Sequence, residues 1–382
     1  MDFSVKKVGI IRGMSQYDVM RSWTLELEKG FNKLGIEVTV YDLKYHHQLR
    51  FADDIDFYVS VNGWGLPDLT KIIQQPIIMY LADHANDHIE RILSLRSHDI
   101  LTVVDRFDFK ILEGLGVNRN AYFLPHAALE VNYLENEKEY DLVFLGSYSS
   151  GRDYLESLKT LESSSPILFE YYNQILKVCL EDRNVHYLYD GLNFLENKGV
   201  SLNTENSHFL ISHFINIGRY IYSKEREQLL LELARKGYNI EIFGNGWGSS
   251  QLTELSNVNI NESVNYYESQ KLISKAKILI NAAPFLRDGS HERAFAGIAN
   301  NTYVLSNYSA YLDELNNPKI LFYNLKELNT IYSEIDKILS KNNEEFYDKA
   351  LLDDIYNNHT FEKRAKHILE IFMFHKEKVI DL

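Results

Sequence analysis

The feature that most limits the fold of this chain is a rhythm that runs through it twice. Short apolar runs of strand length end in polar or glycine-bearing loops, and segments with helical periodicity follow them. In the first series, 7–11 reads as strand, 17–34 as helix closed by Gly35, and 37–41 as strand, with further strands at 56–62, 76–81, 100–104 and 121–124. The second series opens with the strand 140–145. It resumes with helix at 225–236, strand at 239–243, helix at 266–276, strand at 278–282, helix at 292–300 and strands at 302–306 and 320–322. Apolar strands alternating with helices belong to parallel sheets covered on both faces. At 382 residues the chain exceeds one ordinary core and suits two. The expected fold is therefore α/β, with two Rossmann-like domains facing a cleft: 1–132, and 133–360 with a helical insertion at about 153–217. The amphipathic tail 361–382 is expected to pack back on the first domain.

Charge and cysteine content narrow the function classes. Forty basic against 54 acidic side chains give a net charge of −14 with no long basic run, so nucleic acid is not an expected partner. The single cysteine, Cys179, offers neither an internal disulfide nor a multi-cysteine zinc site, and it reads as a small hydrophobe. No apolar stretch is long enough to span a bilayer, and the start MDFSVKKVGIIRG reads as a first strand rather than a signal peptide. A cytoplasmic protein with at most peripheral membrane association is expected.

Open α/β sheets bind ligands beyond the carboxyl ends of their strands, so those loops carry the candidate site. After the first strand come Arg12, Gly13 and Met14, a loop whose small residue lets backbone amides approach a ligand. The run PIIMYL ends in Asp83 and His84, with His88 one helical turn on, and LPHAA carries His126 just before the domain boundary. A carboxylate or imidazole at such a place takes up a proton near neutral pH when neighbours shift it, which makes Asp83, His84 and His126 the catalytic candidates. Gly146 and Ser147 open the second series, and Gly244, Asn245, Gly246 and Trp247 follow the strand 239–243. Glycines at strand ends let backbone amides approach a pyrophosphate. The densest segment is 281–306, where Arg287, Ser290, His291, Glu292 and Arg293 gather at a helix start. Arginine and a helix N-terminus suit a diphosphate, and a carboxylate suits ribose or sugar hydroxyls. No metal site is expected.

Five segments together resemble one family. DGSHERAFAGIANNTYVLSN, YLADH, LPHAA, DLVFLGSY and FGNGW are similar to corresponding stretches of the CgeB-like (spore maturation protein-like) bacterial glycosyltransferases, and the matches cover both halves of the chain. The resemblance implies a GT-B fold and transfer of a sugar from a nucleotide diphosphate sugar, UDP-sugar favoured, to a hydroxyl on a protein, glycan or lipid-linked acceptor. It implies that no cofactor or essential metal takes part. It places Gly244, Gly246 and Trp247 near the nucleotide, His291, Glu292 and Arg293 near diphosphate and sugar, and Asp83 near the reacting centre. The sequence departs from relatives that carry paired glutamates in an E-x7-E arrangement, since Ala296 stands at one of those places. That departure gives weight to a second reading, a nucleotide-sugar-binding module without transfer, and a GT-B epimerase stands as a third.

Overall fold

The computed structural model describes residues 4–117, 119–130, 137–182, 184–200 and 207–380. It holds two parallel six-stranded sheets. In the first, β1 (Lys7–Arg12), β2 (Glu37–Asp42), β3 (Phe57–Val61), β4 (Ile77–Tyr80), β5 (Ile100–Val103) and β6 (Ala121–Phe123) lie in the order β2-β1-β3-β4-β5-β6. In the second, β7 (Tyr140–Leu145), β8 (Ile240–Phe243), β9 (Val258–Asn261), β10 (Ala276–Asn281), β11 (Tyr303–Asn307) and β12 (Ile320–Tyr323) lie in the order β12-β11-β10-β7-β8-β9. The second order is that of the dinucleotide-binding Rossmann sheet, and the first that of the flavodoxin type extended by one strand. β3, β4 and β5 are buried along their whole length, as strands covered on both faces must be.

β9 is the strand that the sequence reading lacks. Its run VNIN is half exposed at the sheet edge and carries too few apolar residues to register as a strand. The helix expected at 225–236 is the last part of one 30-residue helix, Ser207–Lys236, whose first third lies in the expected insertion. The insertion otherwise consists of helices Arg152–Ser164, Pro166–Glu181 and Tyr189–Asn197. Its own apolar core, with Cys179 buried in it, includes Ile111 from the first domain and Phe285 from the second, so the insertion packs against both halves. The boundary expected at 132/133 lies outside the described residues.

The last helix, Phe361–Ile380, lies on the first domain. Phe361, Ile368, Leu369 and Phe372 enter the core formed by Trp23, Leu27, Phe31 and Phe57, each contributing on the order of 1.5–3 kcal/mol by burial. The crossing with helix Val19–Lys33 is close at Gly30, where a Cβ would stand 2.9 Å from the Phe361 carbonyl oxygen. Arg364, buried in the same seam, donates to the carbonyls of Pro125 and His126 at 2.7 and 2.8 Å. Beside it the two passages of the chain between domains are tied to each other: Ala128 pairs with Thr360, and its N–H donates to the His359 carbonyl. Among the described residues no helix is long and apolar enough to cross a membrane.

Candidate active site

The carboxyl ends of both sheets face one cleft, and three cavities open from it. The largest, about 540 Å³, lies between the end of β4 and the inserted helices. The second, about 260 Å³, lies over the ends of β7 and β8 and the start of helix Glu292–Ala299. The third, about 420 Å³, belongs mainly to the first domain and includes Met14, Asn62, Trp64 and Arg91. His291 lines all three.

On the first-domain side, Asp83 follows β4 and half of its side chain stays open to the cleft. Asn62 holds it, donating from Nδ2 at 2.8 Å while its Oδ1 accepts from the Ala82 N–H at 2.7 Å. To do so Asn62 adopts the left-handed backbone region (φ 52°), a local strain that the two hydrogen bonds offset. Burial disfavours charge on Asp83, but His88, 3.5 Å away, and Asn62 outweigh it and hold the carboxyl below its ordinary range. Asp83 is therefore ionised and able to accept a proton.

His84 points the other way. Its Nδ1 lies 3.0 Å from fully buried Asp108, and although burial opposes charge, Asp108 and then Asp105 raise the imidazole to about 9. It forms a fixed cation in the wall of the largest cavity rather than a group that titrates near neutrality. His126 is buried behind the cleft, its Nδ1 on the Ser290 carbonyl and its Nε2 3.0 Å from the Ala82 carbonyl. It spans the two domains and stacks beside His291 with centroids 5.9 Å apart, without lining any of the three cavities. Ser290 is buried next to it.

The second-domain side carries the cations. Arg293, on the first turn of its helix, donates to the Leu145 carbonyl, and its Nε lies 3.2 Å from His291 Nδ1. Glu292 pairs with His291; burial opposes its charge, but His291 and Arg293 hold it down at about 2. Burial and Arg293 push His291 down to about 4, so at neutral pH a neutral imidazole and an ionised carboxylate stand at the helix start. A further cation, absent from the sequence reading, is Arg226 of helix Ser207–Lys236. It donates to the Ser147 carbonyl at 3.2 Å, its guanidinium lies 3.9 Å from the Tyr222 ring centroid, and burial lowers it only to about 10, so it stays charged. Arg226 borders the first and second cavities. Its one sequence signal is the Arg in YSKEREQ, and an arginine within a helical stretch ordinarily reads as a solvated charge.

Other residues named from sequence lie elsewhere. Gly244 and Gly246 serve contact between loops: a Cβ on Gly244 would stand 2.1 Å from the Gly146 carbonyl oxygen, and one on Gly246, whose φ is 90°, 2.1 Å from that of Tyr148. Trp247 is buried, donates from Nε1 to the Gly146 carbonyl at 2.8 Å and stacks on Tyr148, while the Asn245 carbonyl accepts from the Tyr148 N–H. These four residues therefore support the Gly146–Ser147 turn from behind, and it is that turn that lines the second cavity. Arg287 donates to the Asn184 carbonyl and stacks over Phe107 toward the insertion. Arg12 turns to Thr24 and Glu28, and Gly13 packs against Trp64, leaving exposed Met14 as the member of that loop that faces the cleft. Nearby Tyr17, a residue outside the expected set, sits at φ 58° and meets Ser147 Oγ at 2.6 Å across the cleft.

Comparison with known proteins agrees with this architecture. Residues 225–370 match the glycosyl transferase-like family. No curated protein matches the sequence. Solved structures share the fold over nearly the whole chain. One is sucrose-phosphate synthase from Thermosynechococcus elongatus (10% identity, 96% of this chain and 98% of that one, TM-score 0.55). Another is an alpha-glucosyltransferase in complex with UDP and a 13-mer DNA (10%, 97% and 100%, TM-score 0.55). A third is a glycosyltransferase from Rickettsia africae ESF-5 (11%, 98% and 99%, TM-score 0.54). The chain has the two-domain GT-B fold of glycosyltransferases.

Proposed function

We infer that the protein is a glycosyltransferase of the CgeB-like kind that moves a hexosyl or N-acetylhexosaminyl group from a UDP-sugar to an acceptor hydroxyl on a protein, glycan or lipid-linked molecule in the cytoplasm. The observation that carries this reading is the meeting of unlike groups at His291: an ionised carboxylate, Asp83, on one side, and Arg226, Arg293 and the start of helix Glu292–Ala299 on the other. The GT-B fold and the UDP bound by the alpha-glucosyltransferase of like fold support UDP as the nucleotide.

The nucleoside occupies the second cavity, with the Glu292 carboxylate available to ribose hydroxyls. The diphosphate lies where that cavity meets the largest one, beside Ser147, Arg226 and His291. The acceptor enters by the third cavity, whose Trp64 and Met14 offer apolar faces for a sugar or lipid-linked group. Its hydroxyl oxygen bonds to the anomeric carbon, the bond from that carbon to the diphosphate oxygen breaks, and Asp83 takes the hydroxyl proton. The electron pair leaves on UDP, whose growing charge faces guanidinium groups and helix-start amides already in place, a role that replaces a metal ion in this reading. The net charge of −14 argues against a nucleic-acid acceptor.

The test is UDP release from UDP-sugars, with and without candidate acceptors, by the wild type and by Asp83→Asn and Arg226→Ala. Release in the wild type, abolished in Asp83→Asn while UDP binding persists, is the expected result. Wild-type rates in both folded variants would overturn the site.

A further inference from the structure

The second cavity, assigned above to the nucleoside, changes character along helix Glu292–Ala299. Glu292 and Ala296 stand on one face of that helix, about 6 Å apart along its axis, and both border the cavity. Past Glu292 the lining turns apolar: Ala296, Leu145, Phe243 and Ile273 all border the cavity and belong to one packed cluster. A diphosphate beside Ser147 and Arg226, and a ribose beside Glu292, leave this apolar end for the base.

A polar group is set into that end. Gln270, on helix Tyr266–Ser274, is 1% exposed and borders the cavity. Its amide is held one way round by buried Asn300, whose Nδ2 donates to the Ala296 carbonyl at 2.8 Å and to Gln270 Oε1 at 3.1 Å. Turning the Asn300 amide over would set its oxygen against the Ala296 carbonyl oxygen, so the nitrogen belongs there, and the Gln270 atom that faces it must be the acceptor. Gln270 Nε2 is thereby turned away from Asn300. It has no partner among the described residues and is not sealed off by protein, and the space it meets is the second cavity. Asn265 and Ser269 border the same cavity but serve the helix itself. Asn265 Oδ1 accepts from the Glu268 N–H at 3.0 Å, and Ser269 Oγ donates to the Tyr266 carbonyl at 2.6 Å.

A buried N–H without a partner carries a penalty that an acceptor atom on a ligand relieves. On a pyrimidine the ring atom farthest from the glycosidic bond is C4, so its substituent reaches deepest into the pocket. Uracil has a carbonyl oxygen there, which accepts, and cytosine an amino group, which donates and would meet the Gln270 N–H head on.

Resting on the UDP-sugar reading above, we propose that Gln270 reads the base: its Nε2 donates to O4 of uracil, and the cavity selects uridine over cytidine nucleotides. Asn300 is the positioning residue that keeps the donor turned inward, and Leu145, Phe243, Ile273 and Ala296 cover the ring.

Isothermal titration of the full-length protein with UDP and CDP tests this. UDP is expected to bind at least about tenfold tighter than CDP, because the wrong base leaves the buried donor unpaired. Gln270→Glu keeps an acceptor for Asn300 Nδ2 and replaces the inward donor with an acceptor, so it is expected to reverse the order and favour CDP. Gln270→Leu removes both hydrogen bonds and is expected to erase the difference, which gives a second reading if the first variant fails to fold. Equal or reversed affinities in the wild type, a UDP preference that persists in the folded variants, or a parallel loss of both nucleotides in folded Gln270→Glu overturns the proposal and leaves the donor reading intact. Absence of nucleotide binding in the wild type overturns the donor reading and this proposal with it.

Discussion

The two walls of the cleft solve opposite electrostatic problems. The wall from the second domain gathers Arg226, from within the long helix, and Arg293, from the first turn of helix Glu292–Ala299, beside backbone amides at that helix start, with one carboxylate, Glu292, held down among them. The wall from the first sheet offers Asp83, half open to the cleft and ionised, and it relies on His88 and Asn62 to keep it so. Cations fixed in place suit a ligand that arrives charged and leaves more charged. A carboxylate held by two neighbours suits a group that must pick up a proton and return it. On the proposed function the difference means that binding and chemistry fall to different domains, which makes the two separable by mutation.

Asp83→Asn is the sharpest way to break that assignment, because it removes the proton acceptor and keeps the shape. Transfer should fall by about 10²–10⁴-fold with UDP affinity unchanged, measured by product formation and by calorimetry. A parallel loss of UDP binding would show that the walls are not separable. Arg226→Ala should do the reverse, weakening UDP by about 30-fold or more, the equivalent of about 2 kcal/mol for a buried charge partner. Asn62→Gly keeps the left-handed backbone and deletes both hydrogen bonds to the Asp83 loop, and should cost transfer about tenfold, the equivalent of two neutral hydrogen bonds at the low end of their range. If the rate holds, Asp83 is positioned by something other than Asn62.

His84 sharpens the comparison through pH. Its folded-state value of about 9 stands above the ordinary 6.5, so the stability it contributes is fully present below pH 6.5 and is lost as pH rises toward 9. Urea midpoints at pH 6, 7.5 and 9 should fall in that order in the wild type and flatten in His84→Gln. The smallest expected effect is that of Tyr17→Phe, which removes the hydroxyl contact with Ser147 and should weaken UDP binding by about 0.5–1.5 kcal/mol at most.

Much of the fold is legible because buried parallel strands write themselves as largely apolar runs: IIMY and ILTV sit where the sequence places a strand, and AKILIN overlaps the one expected at 278–282. β9 escapes because VNIN lies at a sheet edge with none of its side chains fully buried, so it alternates polar and apolar residues instead of forming an apolar run. The long helix Ser207–Lys236 reads as two unrelated pieces because its first part, Leu210 to Ile221, packs into the insertion's core and its last part, Leu229 to Ala234, into that of the second domain. At the site, Asp83 and the segment from His291 to Arg293 stand out as polar groups at the ends of apolar strands. Arg226 does not, since nothing local tells an arginine on a helix that a strand end lies across from it. The glycines of FGNGW are legible as glycines, but their reason is the approach of two loops, a contact between positions about a hundred residues apart that no window of sequence displays.

The hydrogen bond between Ala128 and His359 binds the two interdomain passages into one narrow ribbon. A ribbon of that kind acts as a door hinge: it allows the halves to swing about its length and resists sliding one past the other. The cleft would then open to release UDP without shifting Asp83 sideways relative to His291, so each closure would restore the same alignment. Cutting the chain near residue 360 would leave a single tether and forfeit that fidelity, even with every residue of the cleft still in place.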